Sequence, residues 1–259
     1  MRIVIIGSGN VATVLGKKIS AAGHEVLQVY SRNEKHAAEL AKALNVAWIS
    51  DNRKIDPEAD IYVVAISDNG LSQIGNWLQL GKKLAVHTAG SLSKDTLKPV
   101  SRNYGVLYPL QSLRKQMKRL PEIPFLVDGN TEEDLTIIYD FAKTFSSTVK
   151  HAGDGERLSI HIAAVVAGNF TNHLYALVED YCSKEGADFN MLFPLIMEVA
   201  VRLKDGSPLK MQTGPAIRND DETINRHLVA LDNFPALKTV YRQLTDSIIK
   251  FSNQTEDTL

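Results

Sequence analysis

The chain has 259 residues, is 44% apolar, carries a formal net charge of −1 and contains one cysteine, Cys182. That length accommodates one large domain or two modest ones, and the near-zero charge gives no footprint for nucleic acid or an anionic membrane. A lone cysteine excludes an intrachain disulfide and a multi-cysteine metal site, and no apolar run reaches the ~20 residues that span a bilayer.

The opening "MRIVIIG" is too short for a signal-peptide core and no small-residue cleavage site follows it, so a cytoplasmic protein is expected. "RIVIIG" is a continuous apolar run suited to a strand buried on both faces. "NVATVLGKKISAAG" follows as a helix, with Val11, Val14, Leu15 and Ile19 on one face. "HEVLQVY" is a second strand and "EKHAAELAKALN" a second helix. "VAWIS", "DIYVVAIS", "KKLAVHTAG" and "YGVLYPL" continue the strands. "IPFLVDG" and "STVKHAG" complete them, with the helix "TEEDLTIIYDFAKTF" between. Such alternation predicts an α/β domain with a doubly wound, mostly parallel sheet. Its ligands should bind outside the carboxyl ends of the strands, at residues 7–12, 31–35, 66–70, 87–92 and 108–111.

After "HAGDGE" the pattern becomes helical. "ERLSIHIAAVVAGNFTNHLYALVEDYCSKEG" reads as one long helix whose middle, apolar almost all round, should be buried on most sides. "FNMLFPLIMEVAVRLKDG" reads as a helix bent at Pro194. "DDETINRHLVALDN" is a helix capped by Asp220 or Asp221, and "PALKTVYRQLTDSIIKF" one opened by Pro235. The polar tail "SNQTEDTL" should fray. The boundary falls near Gly153–Gly155, giving domains 1–153 and 154–259.

"GSGNVA", residues 7 to 12, fits the G-x-G-x-x-G/A turn, with Ala12 in the last place. Gly7 permits the tight turn, Gly9 lets backbone approach a pyrophosphate, and a small residue at 12 lets helix and strand pack. Ser8, Asn10 and Val11 complete the helix N-terminus, whose free N–H groups favour phosphate. The second strand ends in Tyr30, Ser31 and Arg32, where an NAD site carries a carboxylate. Arg32 can bond a phosphate bidentately, Ser31 can donate a hydroxyl, and Asn33 and Lys35 add donors. The pattern predicts NADP(H) rather than NAD. Glu25 lies at the wrong end of its strand to touch the ribose.

"RIVIIGSGNVATVLGKKI", "VYSRN" and "DIYVVAISDNGL" resemble the amino-terminal domains of pyrroline-5-carboxylate reductase and the β-hydroxyacid dehydrogenases. With "HTAGSLS", "YPLQS", "HIAAVVAGNFTNHLYAL" and "TGPAIRNDDETINRHL", the chain resembles a narrower family. That family joins an NADP-oxidoreductase-like Rossmann domain to a helical domain of unknown function, similar to the carboxyl-terminal half of 6-phosphogluconate dehydrogenase. The resemblance implies nicotinamide binding and a homodimer through the helical domain. It also makes Ala65, Ile66 and Ser67 cofactor contacts, and it names no substrate.

The resemblance further implies polar residues on the long helix that face the nicotinamide. Related dehydrogenases place a lysine and an asparagine there. This chain offers Arg157, His161, Asn169 and Asn172 instead. On an ideal helix His161 and Asn172 lie about 20° apart and Asn169 within about 80° of His161. His161 is therefore a candidate acid or base, with Asn169 or Asn172 orienting substrate, or else a buried bonded histidine. The missing lysine puts the ordinary hydroxyacid-dehydrogenase mechanism in doubt. His173 points elsewhere.

After the fifth strand, His87 is a catalytic or substrate candidate and Thr88 a cofactor contact; Ser91 or Ser93 can cap the next turn. Asp68 reads as a helix cap. Tyr108 and Gln111 either face substrate or hold the loop. Arg218 and His227 either bind an anionic substrate or tie helix ends, with structure favoured for His227. No metal-ligand spacing and no Walker lysine occurs. The leading expectation is an NADP(H)-dependent oxidoreductase acting on a small carbonyl, imine or hydroxy acid in an interdomain cleft. A deazaflavin-linked NADP oxidoreductase and a non-catalytic NADP(H)-binding module remain alternatives.

Overall fold

The structure, a computed structural model, describes residues 1–256. Two compact units divide at Asn169 and Phe170. The first begins with β1 (Arg2–Ile6), α1 (Asn10–Ala21), β2 (Glu25–Tyr30), α2 (Glu34–Leu44) and β3 (Ala47–Ile49). It continues with β4 (Ile61–Val64), the short α3 (Asp68–Leu71), β5 (Gly81–His87) and β6 (Ser101–Pro109). β7 (Phe125–Gly129), α4 (Glu132–Lys143), β8 (Val149–His151) and α5 (Asp154–Ala164) complete it. The eight strands form one sheet in the order β3-β2-β1-β4-β5-β6-β7-β8. All neighbours are parallel except β6 and β7. The expected boundary near Gly153–Gly155 falls where β8 gives way to α5.

Alternate residues of the central strands feed two cores, one on each face of the sheet. Ile3, Ile5, Ile61 and Val63 join one, packed with Leu15, Ile19 and Phe141. Val4, Ile6, Tyr62 and Val64 join the other, with Leu71, Ile74 and Leu97. This two-sided burial explains the continuous apolar runs. Local caps set the helix starts. Asn33 accepts from the His36 N–H and Thr131 from the Asp134 N–H. Ser67, not the expected Asp68, caps α3, because its hydroxyl already reaches the Gly70 N–H. Ser93 caps the 3-10 turn Lys94–Leu97.

A π-helical turn (Val165–Phe170) carries the chain from the first unit into the second and leads into α6 (Thr171–Glu185). The wide turn breaks the constant 100° step, so the expected alignment of His161 with Asn172 does not hold. The expected burial of the long helix's apolar middle is also corrected. Ile162 is 56% exposed and Phe170 58%, because the chain covers only one side of it. α7 (Phe193–Arg202) carries Pro194 in its first turn, where proline starts a helix without bending it. α8 (Asp221–Ala230) is capped by Asp220, which accepts from the Thr223 N–H. α9 (Pro235–Glu256) extends into the tail expected to fray, whose last three residues lie outside the described residues. Cys182, Ile224, Leu231 and Phe234 are buried in this unit. Among the described residues no helix is long and apolar enough to cross a membrane.

His87, at the end of β5, is fully buried. Its Nδ1 accepts the Ala89 N–H and its Nε2 donates to the Ser93 carbonyl, each at 3.2 Å. Burial first, and the nearby Arg157 charge second, push its pKa down to about 4. The ring is therefore neutral, with both nitrogens spent on backbone. The catalytic or substrate role expected for His87 gives way to one of fixing the loop that follows β5. A depressed histidine pKa contributes stability above its ordinary value of 6.5, and that stability is lost as pH falls toward about 4. From neutral pH to about pH 5, His87 should account for a loss of roughly 2 kcal/mol in urea unfolding. His87→Gln, which cannot titrate, should lose that much less over the same interval; identical pH slopes would contradict the assignment.

Candidate active site

β1 ends at Ile6 and the chain turns at Gly7, whose φ is +119°. A Cβ there would lie 2.1 Å from the Ala65 carbonyl oxygen, so only glycine lets the ends of β1 and β4 come this close. A Cβ at Gly9 would meet nothing within 4 Å, so the space over the helix end is open. Gly9 is the N-cap of α1; no side chain caps the helix and its first turn holds no acid. The first N–H groups and the positive end of the helix dipole thus face open space. This cradle fits a dinucleotide pyrophosphate.

A run of hydrogen bonds links the turn to the start of α2. The Gly7 N–H donates to the Tyr30 carbonyl at 2.8 Å. Ser8 Oγ donates to Ser31 Oγ at 2.8 Å, and Ser31 Oγ accepts the Asn33 N–H at 3.2 Å. Asn33 Oδ1 then accepts the His36 N–H at 3.0 Å. Arg32 is exposed at this end with no carboxylate pairing it among the described residues. The Tyr30 and Trp77 rings sit 5.3 Å apart and tilted by 40° beside it. A free guanidinium with hydroxyl and amide donors fits a phosphate on the adenosine ribose.

The opposite end of the pocket gathers the termini of β4, β5 and β6 with one turn of α5. Ser91 Oγ donates to Asp68 Oδ2 at 2.7 Å. Tyr108 Oη lies 2.9 Å from His161 Nδ1. A Cβ on Gly90 would fall 2.6 Å from His161 Nδ1 and 2.9 Å from Tyr108 Cζ, so the pair closes over a position that must lack a side chain. Burial pushes the Tyr108 phenol pKa up, and the Arg157 charge partly opposes it. The phenol is protonated at neutral pH and can serve as a proton donor. Arg157, one turn before His161, is fully buried and pairs with Asp154 at 2.7 Å. It also donates to the Leu92 carbonyl, tying α5 to the loop after β5.

These parts line one pocket of about 940 Å³, built within the first unit. It brings together Gly7, Ser8, Gly9, Asn10, Val11, Ser31, Arg32, Asn33, Ala65, Ile66, Ser67 and Thr88 with Tyr108 and His161. His87 does not line it. Neither does Gln111, whose Oε1 accepts the Ser112 N–H, nor Asn169, which is exposed. In the second unit, Asn172 is exposed on α6, and Arg218 is exposed at the end of the 3-10 turn Ala216–Arg218. His227 Nδ1 lies 2.8 Å from Tyr241 Oη, a link between α8 and α9. His36, Asn76 and Trp77 also line the pocket and lie outside the stretches expected from the sequence, whereas Gly90 falls within the expected 87–92. His36 was within reach of sequence reasoning, three residues after Asn33 on the first turn of α2.

Two family models match the chain. NADP oxidoreductase coenzyme F420-dependent covers residues 2–90, and a domain of unknown function, DUF2520, covers residues 123–248. The "putative NADP oxidoreductase" of Bacteroides fragilis is 37% identical over 96% of this chain and 98% of its own, with a TM-score of 0.90. The fold is shared with 1-pyrroline-5-carboxylate reductase from Streptococcus pyogenes, at 15% identity, 96% and 98% coverage and a TM-score of 0.63. It is shared too with an imine reductase from Myxococcus stipitatus in complex with NADP+, at 15% identity, 100% and 95% coverage and a TM-score of 0.61. No curated protein matches. An NADP oxidoreductase domain followed by a DUF2520 domain, together with 37% identity across nearly the full length, makes this chain a member of the two-domain NADP oxidoreductase family.

Proposed function

We propose that this protein binds NADP(H) in the pocket of its first unit and reduces a small carbonyl or imine there, or oxidises the matching hydroxy acid. The observation that carries this reading is the continuity of the pocket, from the uncapped α1 terminus and Arg32 at one end to Tyr108 and His161 at the other. When bound, NADPH supplies a hydride. The chain's part is to hold the phosphates, orient substrate and deliver a proton. Tyr108 Oη gives its proton to the oxygen or nitrogen that gains negative charge. His161 Nδ1, 2.9 Å away, is the group that returns a proton to the phenol oxygen. Thr88 and Ser91 offer hydroxyls beside that position. A cytoplasmic setting suits both the lone cysteine and the cofactor.

The matching model's name, coenzyme F420-dependent, favours a second reading in which a deazaflavin is the hydride partner in place of an organic substrate. The same proton relay would serve it. Incubation with NADPH and a panel of small carbonyls, imines and an oxidised deazaflavin, followed by nicotinamide absorbance, tests both. Turnover of one panel member is expected. Tyr108→Phe should lower kcat about a hundredfold or more while leaving NADPH affinity unchanged. Bound NADPH that no panel member oxidises would instead favour a binding module.

The helical unit is proposed to associate with a second copy. α7 buries no residue, and Leu195, Met197 and Leu203 are each more than half exposed. A ten-residue helix with no fully buried side chain is not stable by itself. Twofold pairing is the commonest way to cover such a surface. Light scattering should give a dimer at micromolar concentration, and Met197→Glu should shift it toward monomer; a monomeric wild type would contradict this.

A further inference from the structure

The stretch "QSLRKQMKRL", residues 111 to 120, has no part in the proton relay or the cofactor contacts described above. It holds Arg114, Lys115, Lys118 and Arg119 and no acid. Its place in the fold is fixed at both ends. Leu113 is buried in the core that contains β1, and Leu120 packs against that same core. Between them, the Met117 N–H bonds the Arg114 carbonyl at 3.1 Å, which closes a turn. The Lys115 N–H donates to Asn10 Oδ1 at 3.1 Å. Asn10 is the first residue of α1 and lines the pocket. The segment is thus strapped across the very helix end that forms the phosphate cradle.

Its charges are largely uncompensated. Lys115 Nζ is 3.5 Å from Oε2 of Glu39 on α2, an exposed pair. Arg114, Lys118 and Arg119 are exposed and have no ion pair among the described residues. The next acid in the chain, Glu122, is engaged by the Ser147 N–H and hydroxyl. All three free cations lie within four residues of Lys115, at most ~14 Å of extended chain. That span is comparable with the Debye length of about 8 Å at physiological salt and well inside the ~30 Å of dilute buffer. The whole chain carries a net charge of −1, so this concentration of positive charge beside the pocket is local.

We infer that residues 111–120 form a cationic strap that steers the polyanionic dinucleotide into the pocket, with Arg114, Lys118 and Arg119 acting on its rate of entry. This rests on the NADP(H) reading of the pocket. Exposed charges near a site raise encounter rates by long-range attraction and fade with salt. They make no close contact that must break on release, so dissociation is unaffected.

Stopped-flow binding of NADPH at low and high ionic strength tests it, on wild type and on Arg114→Gln/Lys118→Gln/Arg119→Gln. A control, Lys82→Gln/Lys83→Gln/Lys98→Gln, removes the same charge near the amino ends of β5 and β6. The strap variant should associate about tenfold more slowly at low salt and lose most of its salt dependence, with the dissociation rate unchanged. The control should behave as wild type. An unchanged association rate, an effect confined to dissociation, or an equal loss in the control would overturn the strap. Failure of wild type to bind NADPH at all would overturn the cofactor reading itself, and the strap with it.

Discussion

Parallel pairing of β3, β2, β1, β4, β5 and β6 sets the carboxyl ends of six strands along one edge of the sheet. Everything chemical in the first unit follows from that constraint. The loops after β1, β2, β4 and β5 line the same trough, and β6 adds Tyr108 near its end. The tightest point is Gly7 against the Ala65 carbonyl, where no other residue fits. With β1 and β4 held that close, the α1 terminus points into the trough rather than into protein. Ser8 then reaches Ser31 at 2.8 Å, and with the Gly7 N–H on the Tyr30 carbonyl it ties the glycine turn to the end of β2.

The remote end depends on the same edge but adds α5. Arg157 and Asp154 fasten that helix to the loop after β5, and His87 holds the loop from beneath. His161 therefore meets Tyr108 with little freedom, over a glycine that leaves room for both rings. Burial keeps the phenol protonated. The two ends are different in kind: one offers positive charge and N–H groups, the other a neutral hydroxyl backed by an imidazole.

The first of these ends was legible in the sequence, because its parts are local. The glycine turn is six contiguous residues, and Arg32 stands at a strand end whose position the apolar run announces. The doubly wound sheet was legible for the same reason. The second end was only half legible. Tyr108 and His161 were each singled out, but nothing in the pattern pairs residues that far apart along the chain. His87 misled because a histidine at a strand end looks the same whether its nitrogens face a pocket or backbone; burial decides, and burial is a tertiary property. Asn172 was aligned with His161 on an ideal helix, and a π turn between them removes that premise. The apolar middle of the long helix was read as buried on most sides, yet Ile162, Val166 and Phe170 are each more than half exposed.

The open cradle and unpaired Arg32 are proposed to make a site for a dinucleotide with a phosphate on its adenosine ribose. Calorimetric titration of wild type and Arg32→Ala with NADPH and with NADH tests it most directly. A charge-assisted phosphate contact contributes ~1.5–3 kcal/mol, so wild type should prefer NADPH by about tenfold or more. Arg32→Ala should erase most of that preference while leaving NADH binding as it was. Equal affinity for the two cofactors in wild type, or a preference that survives Arg32→Ala, would contradict the account.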